Sequence, residues 1–190
     1  NQSDRLFIAN MISVDEAGIY SIGYQVGAML LLPIAAFSNF YTPFMNERLA
    51  NINPAKETEI VKASYVFAGM IIFCYFAMLL ITPYFFELLI DEKFHKGALY
   101  VFWVGLAYLF WGLYILFSTI IFYKEKTKFL GWLSILNIAL NAVLNYFLII
   151  QFGAMGAAYA TTISFFVVLV ITIFYSNKLY PMSWLFFLKK

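Results

Sequence analysis

Five side chains have the type and placement to handle an ion or a polar cargo inside an otherwise apolar chain: Asp4, Arg5, Asn137, Asn141 and Asn145. Asp4 and Arg5 set an acid beside a base. A guanidinium offers paired N–H donors to phosphate or carboxylate. The neighbouring carboxylate can hold that cation in place or take a proton. The asparagines stand with Ser134 in "SILNIALNAVLN", at spacings of 3, 4 and 4, which makes one stripe on a helix of 3.6 residues per turn. Such a stripe has two readings. It bonds neighbouring helices together, or it lines a cavity with amides matched to the hydroxyls of a sugar or other polar substrate.

The elements that must carry these groups follow from composition. The 190 residues are 64% hydrophobic and only 12% charged, about half the charge of an ordinary soluble domain. Stretches free of Asp, Glu, Lys and Arg run for 30 residues after Glu16, 24 after Lys62, 27 after Lys96 and 49 after Lys128. About 20 helical residues cross a hydrocarbon core, so the first three runs are one crossing each. The fourth must be two, broken at "QFGAMG" (151–156), where two glycines permit a tight turn. Helices satisfy their own backbone in lipid, and the runs lack the alternation of barrel strands. The expected fold is therefore all-α and integral to a membrane. It has one partial and five complete transmembrane helices, over about 1–13, 15–50, 54–90, 96–124, 126–151 and 154–178, within a unit spanning 1–180. Residues 181–190 are a cytoplasmic tail or the start of a further helix.

Charge assigns the sides. Nine Lys or Arg residues, including Arg48, Lys62, Lys126 and Lys178, fall on one side, and only Lys93 and Lys96 on the other. Short cytoplasmic loops collect positive charge, so 47–62, 124–128 and the C-terminal end are expected in the cytoplasm. Ser13 and Glu16 have the spacing of a capping box, and Asn53-Pro54 reads as an N-cap with a first-turn proline. Pro33 and Pro43 predict bends. If residues 3–13 end a helix leaving outward, Asp4 lies about 15 Å from its outer end, near the bilayer midplane. Ionisable groups there face a bundle interior or a wet cavity and mark transport pathways. The chain opens on Asn1 and this helix lacks its inner half, so it reads as a fragment missing its N-terminal part. The alternative is an interfacial stub with both charges in water.

Enzyme chemistry finds no support. The sequence has no phosphate-binding glycine loop, no metal-ligand spacing and a single histidine, His95, in a charged loop. No cofactor is called for, and the protein is expected not to be an enzyme. The small basic clusters suit contact with anionic membrane lipids rather than nucleic acid. The small-residue stripes Gly153/Ala157/Thr161 and Gly156/Ala160/Ser164 read as close helix packing.

Two segments resemble a known family. "SDRLFIANMISVDEAGIYSIGYQVG", through Asp4, Arg5, Gly18, Tyr20 and Ser21, is similar to the start of the second half of bacterial polysaccharide and O-antigen flippases. These belong to the multidrug/oligosaccharidyl-lipid/polysaccharide exporter superfamily. "LNAVLNYFLIIQFGAMGAAYATTIS", through Leu140, Asn141, Asn145, Phe152, Gly153, Gly156, Ala157, Ala158, Ala160 and Thr161, is the second match, and "KLYPMSW" resembles the segment after the twelfth helix. The resemblance implies the C-terminal six-helix lobe of a two-lobed transporter of 12–14 helices in the bacterial inner membrane. It implies export of undecaprenyl-pyrophosphate-linked oligosaccharide units for polysaccharide synthesis by alternating access, with the lipid-linked oligosaccharide, membrane lipids and glycan-assembly proteins as partners. Arg5 would bind the pyrophosphate or an acidic sugar, with Asp4 holding it or taking a proton. Asn137, Asn141 and Asn145 would meet sugar hydroxyls. The rivals are a cation-coupled drug or metabolite exporter of the same superfamily, a membrane-embedded glycan polymerase or acyltransferase, and a non-transporting scaffold.

Overall fold

A computed structural model describes residues 2–184. Those residues form seven α-helices and one 3-10 segment: α1 (Gln2–Met11), α2 (Val14–Ala28), α3 (Leu31–Ala50), α4 (Pro54–Leu89), the 3-10 segment (Glu92–Gly97), α5 (Ala98–Tyr123), α6 (Thr127–Phe152) and α7 (Ala154–Leu179). Five helical stretches are long and apolar enough to cross a membrane: Val14–Ala50, Pro54–Leu89, Glu92–Tyr123, Thr127–Phe152 and Ala154–Leu179. The first is α2 and α3 together, bent at Met29-Leu30. Pro33 has no N–H to give the Met29 carbonyl, which accepts from Leu32 N at 3.0 Å instead. Pro43 stays inside α3 without interrupting it. The proposed tail falls partly outside the described residues, from 185 onward.

Helix ends are set by local chemistry. Ser13 accepts from Glu16 N at 3.1 Å and Asn53 Oδ1 from Lys56 N at 2.9 Å, which satisfies a first-turn donor in each helix. The reciprocal half of the capping box is absent, because the Glu16 carboxylate turns to Lys96 Nζ and Tyr100 Oη. Between α6 and α7 the chain reverses at Gly153, with φ 60° and ψ −147°, a region that belongs almost solely to glycine.

Small residues let the helices approach. A Cβ on Gly23 would run into the Gly97 carbonyl, and one on Gly27 would meet Val104 at 2.8 Å, so α2 lies directly on α5. The members of the two predicted stripes that lie on α7 are inward: Gly156, Ala157, Ala160, Thr161 and Ser164 are all buried, and α7 packs on α5 and α6, whereas Gly153 is half-buried in the turn before it. Outward surfaces carry Leu80, Leu88, Trp132 and Phe174, each mostly exposed. That is the pattern of a bundle whose solvent is lipid.

The connections sort to two ends. Glu16, Lys96 and Gly153 border one recess, so the α1–α2, α4–α5 and α6–α7 connections gather together. At the other end Glu57 Oε1 accepts from Ser183 N at 2.7 Å and Tyr65 Oη donates to Trp184 O at 2.6 Å. This second end is the lysine-rich one.

Candidate functional site

Asp4 is fully buried on α1. No Lys or Arg pairs with it among the described residues; neutral donors from three other helices surround it. Asn145 Nδ2 on α6 donates to Asp4 Oδ1 at 2.9 Å. Thr161 Oγ1 on α7 donates to Oδ2 at 2.8 Å, and Tyr20 Oη on α2 donates to Oδ2 at 3.2 Å. Asn145 Nδ2 also donates to Asn141 Oδ1 at 3.1 Å, and Asn141 Nδ2 donates to Thr161 Oγ1 at 3.3 Å. Asp4, Asn145, Asn141 and Thr161 thus close a ring. With its carboxylate ionised, Asp4 accepts throughout and sets the sense of every bond in the ring, which leaves Asn145 Oδ1 buried without a partner among the described residues. Reversing the Asn145 amide would put oxygen against oxygen.

The ring's height follows from three helix counts. Asp4 lies about 10 Å from the end of α1, Thr161 about 10 Å into α7, and Asn145 and Asn141 about 12 and 18 Å back from Gly153 along α6. Helices α6 and α7, of 26 residues each, are about 39 Å long. The ring therefore lies inside the apolar span, between its middle and the Gly153 end. The reading of Asp4 as an interfacial residue in water does not fit this burial.

Arg5 is not held by Asp4. Consecutive helical side chains diverge by about 100° and do not face each other. The Arg5 guanidinium lies 5.6 Å from the centroid of the Tyr24 ring, and its buried Nε has no partner among the described residues. Tyr24 bonds Tyr108 through their hydroxyls at 2.7 Å. Both tyrosines line a recess of about 370 Å³ with Ser134, Asn137 and Asn141. Asn137 Oδ1 is buried there without a partner among the described residues.

The asparagine stripe therefore divides along its length. Asn145 and Asn141 belong to the ring, with both amide protons of Asn145 engaged by protein. Asn137 borders the recess, and exposed Ser134 bonds its own helix at Leu130 O, 3.0 Å away. Thr161 in the ring and Tyr20, which also bonds Asp4, carry no ionic signal in the sequence, and Thr161 reads there as part of a small-residue packing stripe. His95 is half-buried, with its ring nitrogen 3.0 Å from Ile90 O, and so is a loop residue bound to its own backbone.

A carboxylate ringed by neutral donors, beside a polar recess and a cation without a carboxylate partner, can exchange a proton or a hard monovalent cation and can attract an anionic group. No family model matches the chain, and neither a curated protein nor a solved structure matches it.

Proposed function

We propose that this chain is the C-terminal lobe of a two-lobed flippase that exports lipid-linked oligosaccharide units across the bacterial inner membrane for polysaccharide synthesis. The observation that carries the reading is the fully buried Asp4 held by donors from α2, α6 and α7 within an apolar bundle. Ionisable groups at such depth are costly and serve transport pathways. The resemblance of residues 3–27 and 140–164 to polysaccharide flippases supplies the cargo class.

In this reading the lysine-rich end is cytoplasmic. Arg5, beside the recess, attracts the pyrophosphate of the lipid carrier. Asn137 borders the same recess, and its buried carbonyl, without a partner among the described residues, becomes available to the cargo as the lobe moves. Asp4 takes the coupling proton or cation, and the closed ring couples that event to α1, α6 and α7 as one lobe rocks against the other. The Asp4 ring equally favours a second reading, a cation-coupled exporter of small molecules, because its chemistry concerns the coupling ion and not the cargo.

Complementation separates the two. Cells lacking the gene should regain surface polysaccharide with the full-length protein and fail to regain it with Arg5→Ala at equal membrane levels. Restored efflux of small cations with no change in surface polysaccharide would select the second reading.

A further inference from the structure

The lysine-rich end is not uniformly basic. Where α3 meets α4, Arg48, Lys56 and Lys62 are matched by Glu47, Glu57 and Glu59. Arg48 is paired there directly, with Nε 2.8 Å from Glu59 Oε2 and Nη1 3.4 Å from Glu47 Oε2. The other corner differs. Lys124, Lys126 and Lys128 around the α5–α6 turn and Lys178 near the end of α7 stand against one acid, Glu125. No carboxylate pairs with Lys126, Lys128 or Lys178 among the described residues. Lys124 Nζ lies 5.2 Å from the centroid of the Tyr180 ring, which brings the turn and the end of α7 together.

The seam between α6 and α7 gives this charge a shape. Phe129 stacks on Tyr175 with ring centroids 3.7 Å apart and planes 13° from parallel. That contact sets the two antiparallel helices level. Lys128 is one residue beyond Phe129 toward the lysine-rich end, and Lys178 is three residues, about 4.5 Å, beyond Tyr175 in the same direction. Burial separates the two faces of the pair. Leu130, Leu133, Thr172 and Ser176 are buried on the inner face. Lys128, Trp132, Phe174 and Lys178 are exposed, and at about 100° per residue all four fall on the outer face. Trp132 and Phe174 each lie one turn deeper than their lysine and are 72% and 73% exposed. Two unpaired cations are thus followed inward by two aromatic rings and then by exposed Ile135. A phospholipid has the same order along its length: phosphate, ester-linked glycerol and hydrocarbon.

We propose that the outer seam of α6 and α7 is a binding site for an anionic phospholipid of the adjacent leaflet, with its phosphate at Lys128 and Lys178 and an acyl chain along Trp132 and Phe174. Charge complementarity selects the occupant, because basic sites between helices at this depth hold acidic headgroups. The matched acids and bases between α3 and α4 give that corner no such preference. The lipid contact expected of both basic clusters therefore narrows to one. The site goes beyond the flippase reading and is independent of the cargo.

Native mass spectrometry of the full-length protein tests it, with dioleoyl phosphatidylglycerol and dioleoyl phosphatidylcholine as probes. Phosphatidylglycerol should be retained about tenfold more tightly than phosphatidylcholine, or better. The double variant Lys128→Gln/Lys178→Gln should weaken phosphatidylglycerol binding about thirtyfold and leave phosphatidylcholine unchanged. Lys56→Gln/Lys62→Gln removes as much charge from the balanced corner and should leave both lipids as they are. Equal retention of the two lipids by the native protein, or equal losses in the two double variants, overturns the site. Displacement of phosphatidylglycerol by an equimolar amount of undecaprenyl phosphate also overturns it, since the seam would then hold a carrier lipid. These readings make no use of polysaccharide output, so failure of the site leaves the flippase reading where it stands.

Discussion

Asn145 donates to Asp4 Oδ1 at 2.9 Å from 141 residues further along the chain. The bond ties the first described helix to the sixth, and Thr161 ties the same carboxylate to the seventh. A single carboxyl group thereby links α1 to α6 and α7. Losing the Asn145 donor leaves Asp4 Oδ1 buried and unpaired among the described residues, and losing the Thr161 hydroxyl leaves Asn141 Nδ2 without that acceptor; such a loss costs more than the bond itself contributes.

A double-mutant cycle measures that linkage. Asp4→Ala and Thr161→Val should each lower unfolding stability, and the pair should show a coupling of about 1 kcal/mol. Strictly additive effects, read by thermal unfolding in nanodiscs, would mean that the hydroxyl and carboxylate do not interact.

The contact of α2 with α5 depends on absent side chains. Gly23→Ala should destabilise by about 1–3 kcal/mol, because its Cβ has no room beside the Gly97 carbonyl. Gly69→Ala, with open space around its Cβ position, should leave Tm unchanged or slightly raised. Equal Tm values for the two variants would contradict this packing.

The α6–α7 reversal makes a separate demand on the backbone. Gly153 has open space for a Cβ but a conformation that L residues avoid. Gly153→Ala should cost about 1–3 kcal/mol from strain alone. The loss should appear as a lower Tm, and an unchanged Tm would show that the turn relaxes freely.

Sidedness is accessible by labelling. In a Cys74→Ala background, cysteine at position 93 should react with an impermeant maleimide in intact cells. Cysteine at position 126 should react only after permeabilisation. The reverse result would invert the charge-based orientation.

Much of the helical layout is legible in the sequence because lipid-spanning segments are long and charge-free. The bend at Met29-Leu30 was foreshadowed by Pro33, and the α6–α7 reversal by Gly153. The site was legible in part. Asn141 and Asn145 announce themselves by spacing, and Asp4 by its isolation in apolar sequence. Thr161 and Tyr20 do not, because a hydroxyl within a small-residue stripe or an aromatic run looks like packing until a neighbouring helix supplies its acceptor. The expected Asp4–Arg5 pair is absent for a reason local to the helix: adjacent side chains leave it in different directions.

The central claim is that the carboxylate of Asp4 works in transport as well as in packing. The direct measurement is surface polysaccharide in cells whose only copy of the protein carries Asp4→Asn, with membrane level and Tm measured alongside. The amide has nearly the same shape but neither ionises nor accepts at every position. Polysaccharide output should fall to the level of the deletion strain while the protein remains folded in the membrane. Native output from a stably inserted Asp4→Asn protein would contradict the claim and leave the ring as a structural clamp.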